Sequence, residues 1–293
     1  MPIRLTALTD PSAGPHRRRA AWLAADDDGS PVGTAFLTLS DREEQAHLAE
    51  AEIAVHPAGR RRGTGALLLE AAAAAARADG REVLLAVAEE GGPGEAFLAA
   101  RGLRRVLVLI ETRLPLADAD GAALAARVER PHPGYRLVDW DGAVPDELLE
   151  RYLAARPAMD DMPLGGTGHR PVRWTAERLR AAAEAVAARG DLLHTVAVLS
   201  EEDGALVAFT ELVVPGDGTG AGRHYGTGVL PAHRGRGLTG WMKAASIGTA
   251  RRRHPALEGL KTDTAEENTP MRRANEALGY RPTRRLCHYR LDL

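Results

Sequence analysis

Alternating apolar and polar positions dominate the first part of the chain and predict β-strands before any helix. Residues 4–9 alternate with a period of two, and so does the run at 17–40, which is interrupted at Asp27-Asp28-Gly29. The interruption has the composition of a turn, so the pattern predicts a strand followed by a hairpin. Farther along, the pattern predicts a strand ending at Val55, a helix at 64–78, a strand at 82–87, a short helix at 95–101 and a strand at 104–113.

The second half of the chain carries two amphipathic helices that have no counterpart in the first half. Residues 145–159 and 175–190 both show apolar positions at 3.6-residue spacing, with Pro145 and Thr175 at suitable helix starts. The segment before them, at 117–134, contains prolines and glycines and is typical of a linker. After the two helices the pattern predicts strands at 195–199, 205–214 and 224–230, a helix at 238–252, a strand at 257–262, a helix at 269–278 and a strand at 284–291.

Two basic, glycine-rich turns repeat the same layout in the two halves. The segments VHPAGRRRGTGALLLEA, from Val55, and VLPAHRGRGLTGWMKAA, from Val229, each contain a strand end, Val-x-Pro, a glycine turn and an amphipathic run. Val55 and Val229 lie 174 positions apart (229 minus 55), and so do Gly63 and Gly237 (237 minus 63). A strand that turns through glycines into a helix directs free backbone N–H groups and the positive helix end at one point. This geometry suits a phosphate-bearing ligand.

Length and composition narrow the class of protein. The repeat and the length of 293 residues predict an N-terminal domain at 1–116, a linker at 117–134 and a C-terminal domain at 135–293. Lysine and arginine number 38 against 40 acidic residues, a net charge of −2, so no overall field favours nucleic acid or an anionic membrane. No cluster of His, Cys and Glu has metal-ligand spacing, so we expect no metal.

The chain has the sequence features of a cytoplasmic protein. Cys287 is the single cysteine, which excludes an intramolecular disulfide and fits a reducing compartment. The longest apolar run is too short to span a bilayer, and the first residues lack the apolar core of a signal peptide. We therefore expect a cytoplasmic protein, monomeric or homodimeric, that binds neither nucleic acid nor membrane.

The glycine turns resemble the coenzyme A signature of the GCN5-related N-acetyltransferase (GNAT) family, Arg/Gln-x-x-Gly-x-Gly/Ala after Val-x-Pro. Arg60, Gly63 and Gly65 fill the first copy, and Arg234 and Gly237 fill the second, where Thr239 takes the place of the last small residue. The segment ENTPMRRANEALGY is similar to the Asn, short helix and Gly-aromatic pair that follow in the family. The tandem arrangement resembles two-domain acetyltransferases of actinobacteria. The resemblance implies an α/β (α+β) protein with two tandem acyl-CoA N-acyltransferase folds, each a mixed, mostly antiparallel sheet flanked by helices.

The resemblance also implies that acetyl-CoA is the co-substrate and that backbone amides of the turns hold its pyrophosphate. Glycines suit this role because a side chain would block the close approach of a phosphate. The implied CoA-binding residues are Val55, Arg60, Arg61, Arg62, Gly63, Thr64 and Gly65 in the first half, and Val229, Leu230, Arg234, Gly235, Arg236, Gly237, Leu238, Thr239, Gly240 and Asn268 in the second.

Catalysis is assigned to the C-terminal half, because the family's acceptor wall consists of two helices before the sheet and only this half has them. The N-terminal half is expected to be a reduced fold that still holds CoA, although Glu50 and Glu52 stand where a general base would. Amide formation from a thioester needs a base for the amine and a proton donor for the departing thiolate. The family's tyrosine donor is replaced by Asn275 in the second half and by Leu98 in the first.

The other catalytic candidates are Glu211, His224 and Tyr225. Glu211 lies on an apolar strand, where an unpaired carboxylate is costly, and this favours a functional role. For His224, catalysis and a plain hydrogen-bonded position on the sheet are equally open. Strict alternation places Tyr225, Thr227 and Val229 on one face and His224 on the other, unless a β-bulge intervenes.

Two acidic residues between the acceptor helices, Asp160 and Asp161, either attract a cationic amine or belong to a solvated loop.

The sequence as a whole predicts an N-acetyltransferase that moves an acetyl group from acetyl-CoA to a primary amine of a small molecule by general base catalysis. Two other functions stay open: a protein or peptide N-acetyltransferase with a wider acceptor groove, and a CoA-binding module without catalysis.

Overall fold

The computed structural model describes residues 3–8 and 17–293. Its strands are β1 Arg4–Leu8, β2 Arg17–Ala25, β3 Pro31–Ser40, β4 Leu48–Val55, β5 Val83–Glu89, β6 Arg104–Pro115, β7 Tyr135–Asp141, β8 Leu192–Ser200, β9 Leu206–Val214, β10 Ala221–Val229, β11 Gly259–Ala265 and β12 Arg281–Asp292. Its α-helices are α1 Thr64–Ala78, α2 Pro93–Ala100, α3 Gly121–Glu129, α4 Asp146–Ala155, α5 Ala176–Ala187, α6 Leu238–Arg253 and α7 Thr269–Glu276. The predicted strand at 4–9 ends at Leu8, and its last residue lies outside the described ones. None of the helices in the described ranges is long and apolar enough to cross a membrane.

The chain forms two compact units that differ in part from the predicted domain ranges. The N-terminal unit comprises Met1–Leu109, Leu164–Pro171 and Arg285–Leu293, and the C-terminal unit comprises Ile110–Pro163 and Val172–Arg284. The end of β6 therefore belongs to the C-terminal unit, and most of β12 belongs to the N-terminal unit, whereas the repeat alone would assign each strand to the opposite half. The ranges 1–116 and 135–293 stay a prediction for the limits of independent folding.

The N-terminal unit is built on a mixed sheet in the order β1-β2-β3-β4-β5-β12. Its neighbouring strands are antiparallel except β4 and β5, which pair in parallel only between 48–51 and 83–86. The apolar stripe of α1 packs on one face, with Leu69, Ala72 and Ala76 in the core. Ala49 and Ala51 of β4 face this core, so the carboxylates between and after them lie on the opposite face.

The C-terminal unit has the same strand plan, in the order β7-β8-β9-β10-β11 followed by the end of β6. Strands β7 to β10 are antiparallel, and β10 pairs with β11 in parallel for only three residues, Ala221 to Arg223. Alternate residues of β8 pack against α4 and α5 on one face, as Ala197 does, or against α6 on the other, as Val198 does. The C-terminal sheet is therefore covered on both faces, as the two extra helices predict.

The predicted linker contains a helix. Helix α3 begins after Asp120, whose side chain accepts a hydrogen bond from the N–H of Ala123 at 3.0 Å. It packs against α6, where the Trp241 indole donates to the carbonyl of Val128 at 2.9 Å. The prolines and glycines that suggested a linker lie towards the ends of this segment. The residues between them form the helix, and Leu124 is buried on one of its faces.

Candidate active site

Both glycine turns place a left-handed glycine directly before an uncapped helix. Gly63 has φ 85° before α1 and Gly237 has φ 78° before α6, and no side chain caps either helix. A Cβ at Gly63 would have no heavy atom within 4 Å, and one at Gly237 would meet only the His132 ring, at 3.6 Å. Helix N-termini leave backbone N–H groups without partners, and most helices satisfy some of them with a side chain. The open N–H groups here fit a phosphate group.

One arginine braces the strand end in each turn. Arg60 donates through Nε to the carbonyl of Val55 at 3.2 Å, and Arg234 does the same to Val229 at 3.0 Å. The repeat thus holds at the level of single hydrogen bonds. In the first turn Arg61 adopts φ 62°, the left-handed conformation that Gly235 adopts with φ 76° in the second. The remaining arginines, Arg62 and Arg236, are exposed at the turns.

Several of the implied CoA-binding residues have partners inside the protein. Thr64 is buried and donates its hydroxyl to the carbonyl of Gly59 at 3.1 Å, and a Cβ at Gly65 would lie 3.2 Å from the Phe97 ring. In the C-terminal unit Leu238 is buried, and Asn268 caps α7 by accepting from the N–H of Met271 at 3.2 Å. Leu230 and Gly240 are also in contact with the protein: Leu230 donates its N–H to the carbonyl of Val207 at 2.9 Å, and a Cβ at Gly240 would lie 3.0 Å from Arg127. Thr239 is half-buried.

Strand β10 contains a β-bulge, which interrupts the alternation of its side chains between the two faces of the sheet. His224 is opposite Leu212 and Gly226 is opposite Glu211, so Tyr225 is the extra residue. The bulge puts His224 and Thr227 on the same side, because the Thr210 hydroxyl lies 3.3 Å from His224 Nδ1 and 2.8 Å from the Thr227 hydroxyl. The bulge is the exception to strict alternation that the sequence left open, and with it His224 and Thr227 do not face opposite ways.

The matching strand of the N-terminal unit runs straight. Strand β4 keeps one register against β3 from Gly33 opposite Val55 to Leu39 opposite Ala49. Tyr225, by contrast, is half-exposed on its bulge and accepts a hydrogen bond from Arg189 at 3.0 Å. The two strands next to the glycine turns thus differ at the point where each begins to part from its parallel neighbour.

A partly buried carboxylate beside this bulge faces α4 and the turn that follows it. Glu211 Oε1 accepts the Tyr152 hydroxyl at 2.6 Å and Arg156 Nη1 at 2.9 Å. Burial, and then the charge of Glu211, raise the pKa of the Tyr152 hydroxyl well above its ordinary value, so it stays a donor. A Cβ at Gly226 would lie 2.8 Å from Glu211 Oε2, so this oxygen can lie against the bulge only because residue 226 is glycine. The guanidinium of Arg156 also stacks over Trp174, 3.8 Å from the ring centroid.

From the sequence, Tyr152 and Arg156 were not identified as functional residues, and their helix was assigned only to the side of the acceptor pocket. Their signal in the sequence is a tyrosine and an arginine four residues apart, which places both on one face of α4 and the turn after it. Nothing in that spacing points to a carboxylate more than fifty residues away.

A second polar group lies on the α6 side of β10. The His224 ring is hydrogen-bonded through Nε2 to the Tyr280 hydroxyl at 2.9 Å, and Lys243 Nζ donates to Asn275 Oδ1 at 2.6 Å. Asn275 in turn donates to the hydroxyl of Thr264 at 3.2 Å. Burial lowers the pKa of Lys243 to about 7. Burial, followed by the charge of Lys243, lowers the pKa of His224 well below its ordinary value, so this imidazole is neutral.

The buried lysine makes the stability of the C-terminal unit depend on pH. Its pKa is about 7 in the folded protein against 10.5 for the free side chain. Between these values the unfolded chain carries a proton that the folded chain lacks, so the free energy of unfolding rises as the pH rises from 7 towards 10. We expect urea unfolding to show this rise in the wild type and to lose most of it in Lys243→Met. An equal rise in both proteins would contradict the assignment.

The two loop aspartates behave differently from each other. Asp161 forms an ion pair with Arg234 at 2.7 Å, and both side chains are exposed. Burial, and then the neighbouring Asp161, raise the pKa of Asp160 above its ordinary value. The loop carboxylate at 161 is thus tied to the arginine that braces the glycine turn.

In the N-terminal unit the candidate base strand faces an extended segment in place of helices. His169 lies 3.8 Å from Glu50, and His47 Nε2 lies 2.9 Å from the carbonyl of Gly168. The interaction with His169 lowers the pKa of Glu50 below its ordinary value. Glu52 is exposed. Helices α1 and α2 pack on the other face, so the described part of this unit has no pair of acceptor helices.

Among the residues the structure describes, no group of three or more His, Cys, Asp or Glu side chains is placed to hold a metal ion. Cys287 is fully buried in the core of the N-terminal unit, and burial raises the pKa of its thiol. Its surroundings are those of a packing residue.

Comparisons with known proteins agree with the geometry. The acetyltransferase (GNAT) family matches residues 6–103 and 167–280. A mycothiol acetyltransferase of Thermomonospora curvata is 31% identical over 290 residues, which covers 95% of this chain and 84% of that protein. One of Mycobacterium avium is 31% identical over 251 residues, covering 84% and 74%. A solved tandem GNAT protein from the clavulanic acid biosynthesis pathway has a TM-score of 0.74 at 28% identity and covers 96% of this chain and 84% of its own.

Proposed function

The chain belongs to the acetyltransferase (GNAT) family, and from this premise we propose that it transfers an acetyl group from acetyl-CoA to a primary amine of a small molecule. The chemistry is placed in the C-terminal unit. The observation that carries this choice is the bulge in β10, which sets Gly226 beside Glu211 between the glycine turn and the acceptor helices, whereas β4 has no bulge. The relatives named mycothiol acetyltransferase support a small-molecule acceptor.

The uncapped start of α6 supports the CoA part of the proposal. Backbone N–H groups after Gly237 bind the pyrophosphate, and Arg236 adds positive charge at the exposed side of the turn. When bound, acetyl-CoA supplies an activated thioester. The N-terminal turn has the same backbone form, and we propose that it binds CoA without catalysis, because its neighbouring strand lacks the bulge and the acceptor helices.

Glu211 is the general base of the proposed reaction. Its Oε1 is already occupied by Tyr152 and Arg156, which fixes the carboxylate and leaves Oε2 directed at the bulge. Oε2 takes the proton of the acceptor ammonium, and the free amine attacks the thioester carbonyl carbon. The new C–N bond forms as the C–S bond breaks, and the sulfur leaves with the electron pair. The nitrogen then loses its second proton to solvent, which leaves a neutral amide.

The other two base candidates are less suited. Both ring nitrogens of His224 have partners, and the ring lies on the α6 side of β10, away from Glu211 and the acceptor helices. Tyr225 is half-exposed beside Arg189 at the end of α5. We therefore assign neither of them a proton-transfer role.

The test is thiol release from acetyl-CoA across a panel of primary amines, with two matched variants of the full chain. Gly237→Val and Gly63→Val place the same β-branched residue at equivalent left-handed positions, so both introduce the same backbone strain. We expect thiol release to fall at least about 100-fold in Gly237→Val, roughly the loss of one good anion site. Gly63→Val is expected to keep turnover within about threefold.

Two results would count against the proposal. Loss of turnover in Gly63→Val, with retention in Gly237→Val, would move the chemistry to the N-terminal unit. Thermal stabilisation by CoA with no thiol release on any amine would favour a binding module without catalysis.

A further inference from the structure

A pair of polar residues in the C-terminal unit occupies the place of a pair of leucines in the N-terminal unit. The offset of 174 that relates the glycine turns (237 minus 63) relates Lys243 to Leu69. The offset of 177 that relates Gly279 to Gly102 (279 minus 102) relates Asn275 to Leu98. Leu69 and Leu98 are both buried in one apolar core. This fold can therefore pack leucine at both positions, so packing alone does not explain the presence of lysine and asparagine in the C-terminal unit.

Keeping Lys243 at this place is costly. Its side chain is 1% exposed, and its Nζ donates to Asn275 Oδ1 at 2.6 Å and lies 5.0 Å from the centroid of the Tyr280 ring. No carboxylate within the described residues forms an ion pair with it, and the titratable groups that face it are His224 and Tyr280. A buried amine without a counter-ion pays a large desolvation penalty when it is charged. Such a group is retained more often for chemistry than for stability.

The position of Lys243 relative to the strands indicates what that chemistry is. Strands β10 and β11 stop pairing after Arg223, and beyond it they form the two arms of a V. Lys243 is linked to the β11 arm through Asn275 and Thr264, and it lies close enough to His224 on the β10 arm to lower the pKa of that ring. It follows Gly237 by six residues along α6, a rise of about 9 Å. Lys243 is therefore on the α6 side of the V, below the proposed phosphate site.

Glu211 approaches the same V from the opposite face of β10. An amine that Glu211 deprotonates attacks the thioester from the side of the acceptor helices, so the sulfur departs towards α6. We propose that Lys243 donates the proton that the departing CoA thiolate takes up, with Asn275 as its positioning residue. This inference rests on the proposed function. It assigns to Lys243 the proton-donor role of the family's tyrosine, which Asn275 replaces in this chain.

The step balances. The C–S bond breaks with its electron pair on sulfur, and the sulfur takes a proton from the Lys243 ammonium, which becomes a neutral amine. Two protons leave the acceptor nitrogen: one passes from the ammonium through Glu211 to solvent before the attack, and the second passes to solvent once the C–N bond has formed. Solvent returns one proton to Lys243 after the products leave, so one proton is released in each turnover. A lysine that is half-protonated near neutral pH can give and regain a proton in each turnover.

The test variant carries Lys243→Leu and Asn275→Leu together in the full chain, because this pair copies the leucines already present in the N-terminal unit. With acetyl-CoA and an active amine we expect kcat to fall by about 10²-fold or more, the range of general acid catalysis. With 4-nitrothiophenyl acetate as acetyl donor, whose thiolate leaves without a proton, wild type and variant are expected to agree within about threefold. We also expect the wild-type kcat to fall as the pH rises above 7, and we expect the variant to show no such fall.

Three outcomes decide the proposal. A variant that keeps kcat on acetyl-CoA within about threefold overturns it, and so does an equal loss on both donors, since that is the mark of a structural defect. Asn275→Ala alone must shift the pH at which kcat falls, because it removes the oxygen that Lys243 donates to; an unchanged pH profile removes Asn275 from its positioning role. If the wild type releases no thiol on any amine, the proposed function itself fails, which is separate from a failure confined to the lysine variant.

Discussion

Replacing Glu211 by Gln is expected to lower kcat/KM for acetyl transfer by about 10² to 10⁴-fold, the range of general base catalysis. The amide keeps an oxygen for Tyr152 and Arg156, which now donate to Glu211 Oε1, and it differs from the carboxylate mainly in its inability to take a proton. The glycine turn is untouched, so CoA is expected to bind with unchanged affinity. Initial rates of thiol release and a CoA titration of the same preparation measure the two quantities.

Raising the pH separates loss of the base from loss of the fold. If Glu211 acts by deprotonating the amine, part of the lost rate returns in the Gln variant at a pH where the amine is already neutral. A rate that stays low at every pH, or a CoA affinity that falls along with the rate, would assign the defect to structure. Circular dichroism at the assay temperature provides the control for folding.

Local signals along the chain suffice to predict both glycine turns. The helices predicted at 64–78 and 238–252 correspond to α1 Thr64–Ala78 and α6 Leu238–Arg253, because glycine and a 3.6-residue apolar pattern act within a few residues. The acceptor helices were found for the same reason. The tandem acetyltransferase fold followed from the repeat and from the family resemblance, and the family match confirms it.

The features that distinguish the two units could not be predicted from local patterns. A bulge shifts register against a partner strand, and strict alternation in β10 contains no mark of it. Glu211 receives its two hydrogen bonds from residues 55 and 59 positions away, a distance at which spacing carries no information. Lys243 was visible as a lysine inside an apolar run, but only its burial and its match to Leu69 give that observation meaning.

The two halves of the chain thus act as controls for each other. The glycine turn and the parallel strand pair recur in both, so they belong to the common fold. The bulge at Tyr225, the hydrogen bonds of Tyr152 and Arg156 to Glu211, and the Lys243–Asn275 pair occur only in the C-terminal unit of the described chain. The features confined to one unit all lie around the point where β10 and β11 separate, which is where the proposed reaction brings a thioester and an amine together.

The cluster that holds Glu211 is also expected to control the stability of the C-terminal unit. Arg156→Met keeps an apolar side chain against Trp174 and Phe209 but leaves Glu211, whose side chain is 15% exposed, without its counter-ion. Removing one partner of a buried ion pair costs about 3–5 kcal/mol, because the remaining charge loses its compensation. We expect a loss of about 3 kcal/mol in the free energy of unfolding, at the low end because Tyr152 still donates to the carboxylate.

Urea unfolding followed by tryptophan fluorescence measures this loss in the right unit, because Trp140, Trp174 and Trp241 belong to the C-terminal unit and only Trp22 belongs to the other. Arg189→Met is the matched control: that arginine is exposed, and its loss should change the free energy of unfolding by less than about 1 kcal/mol. Adding Glu211→Met to Arg156→Met removes the stranded charge and should restore most of the stability, since buried ion pairs can be replaced by apolar residues of similar volume. If Arg156→Met and Arg189→Met destabilise the unit equally, the cluster does not fix Glu211 in place, and the geometry assigned to the base loses its support.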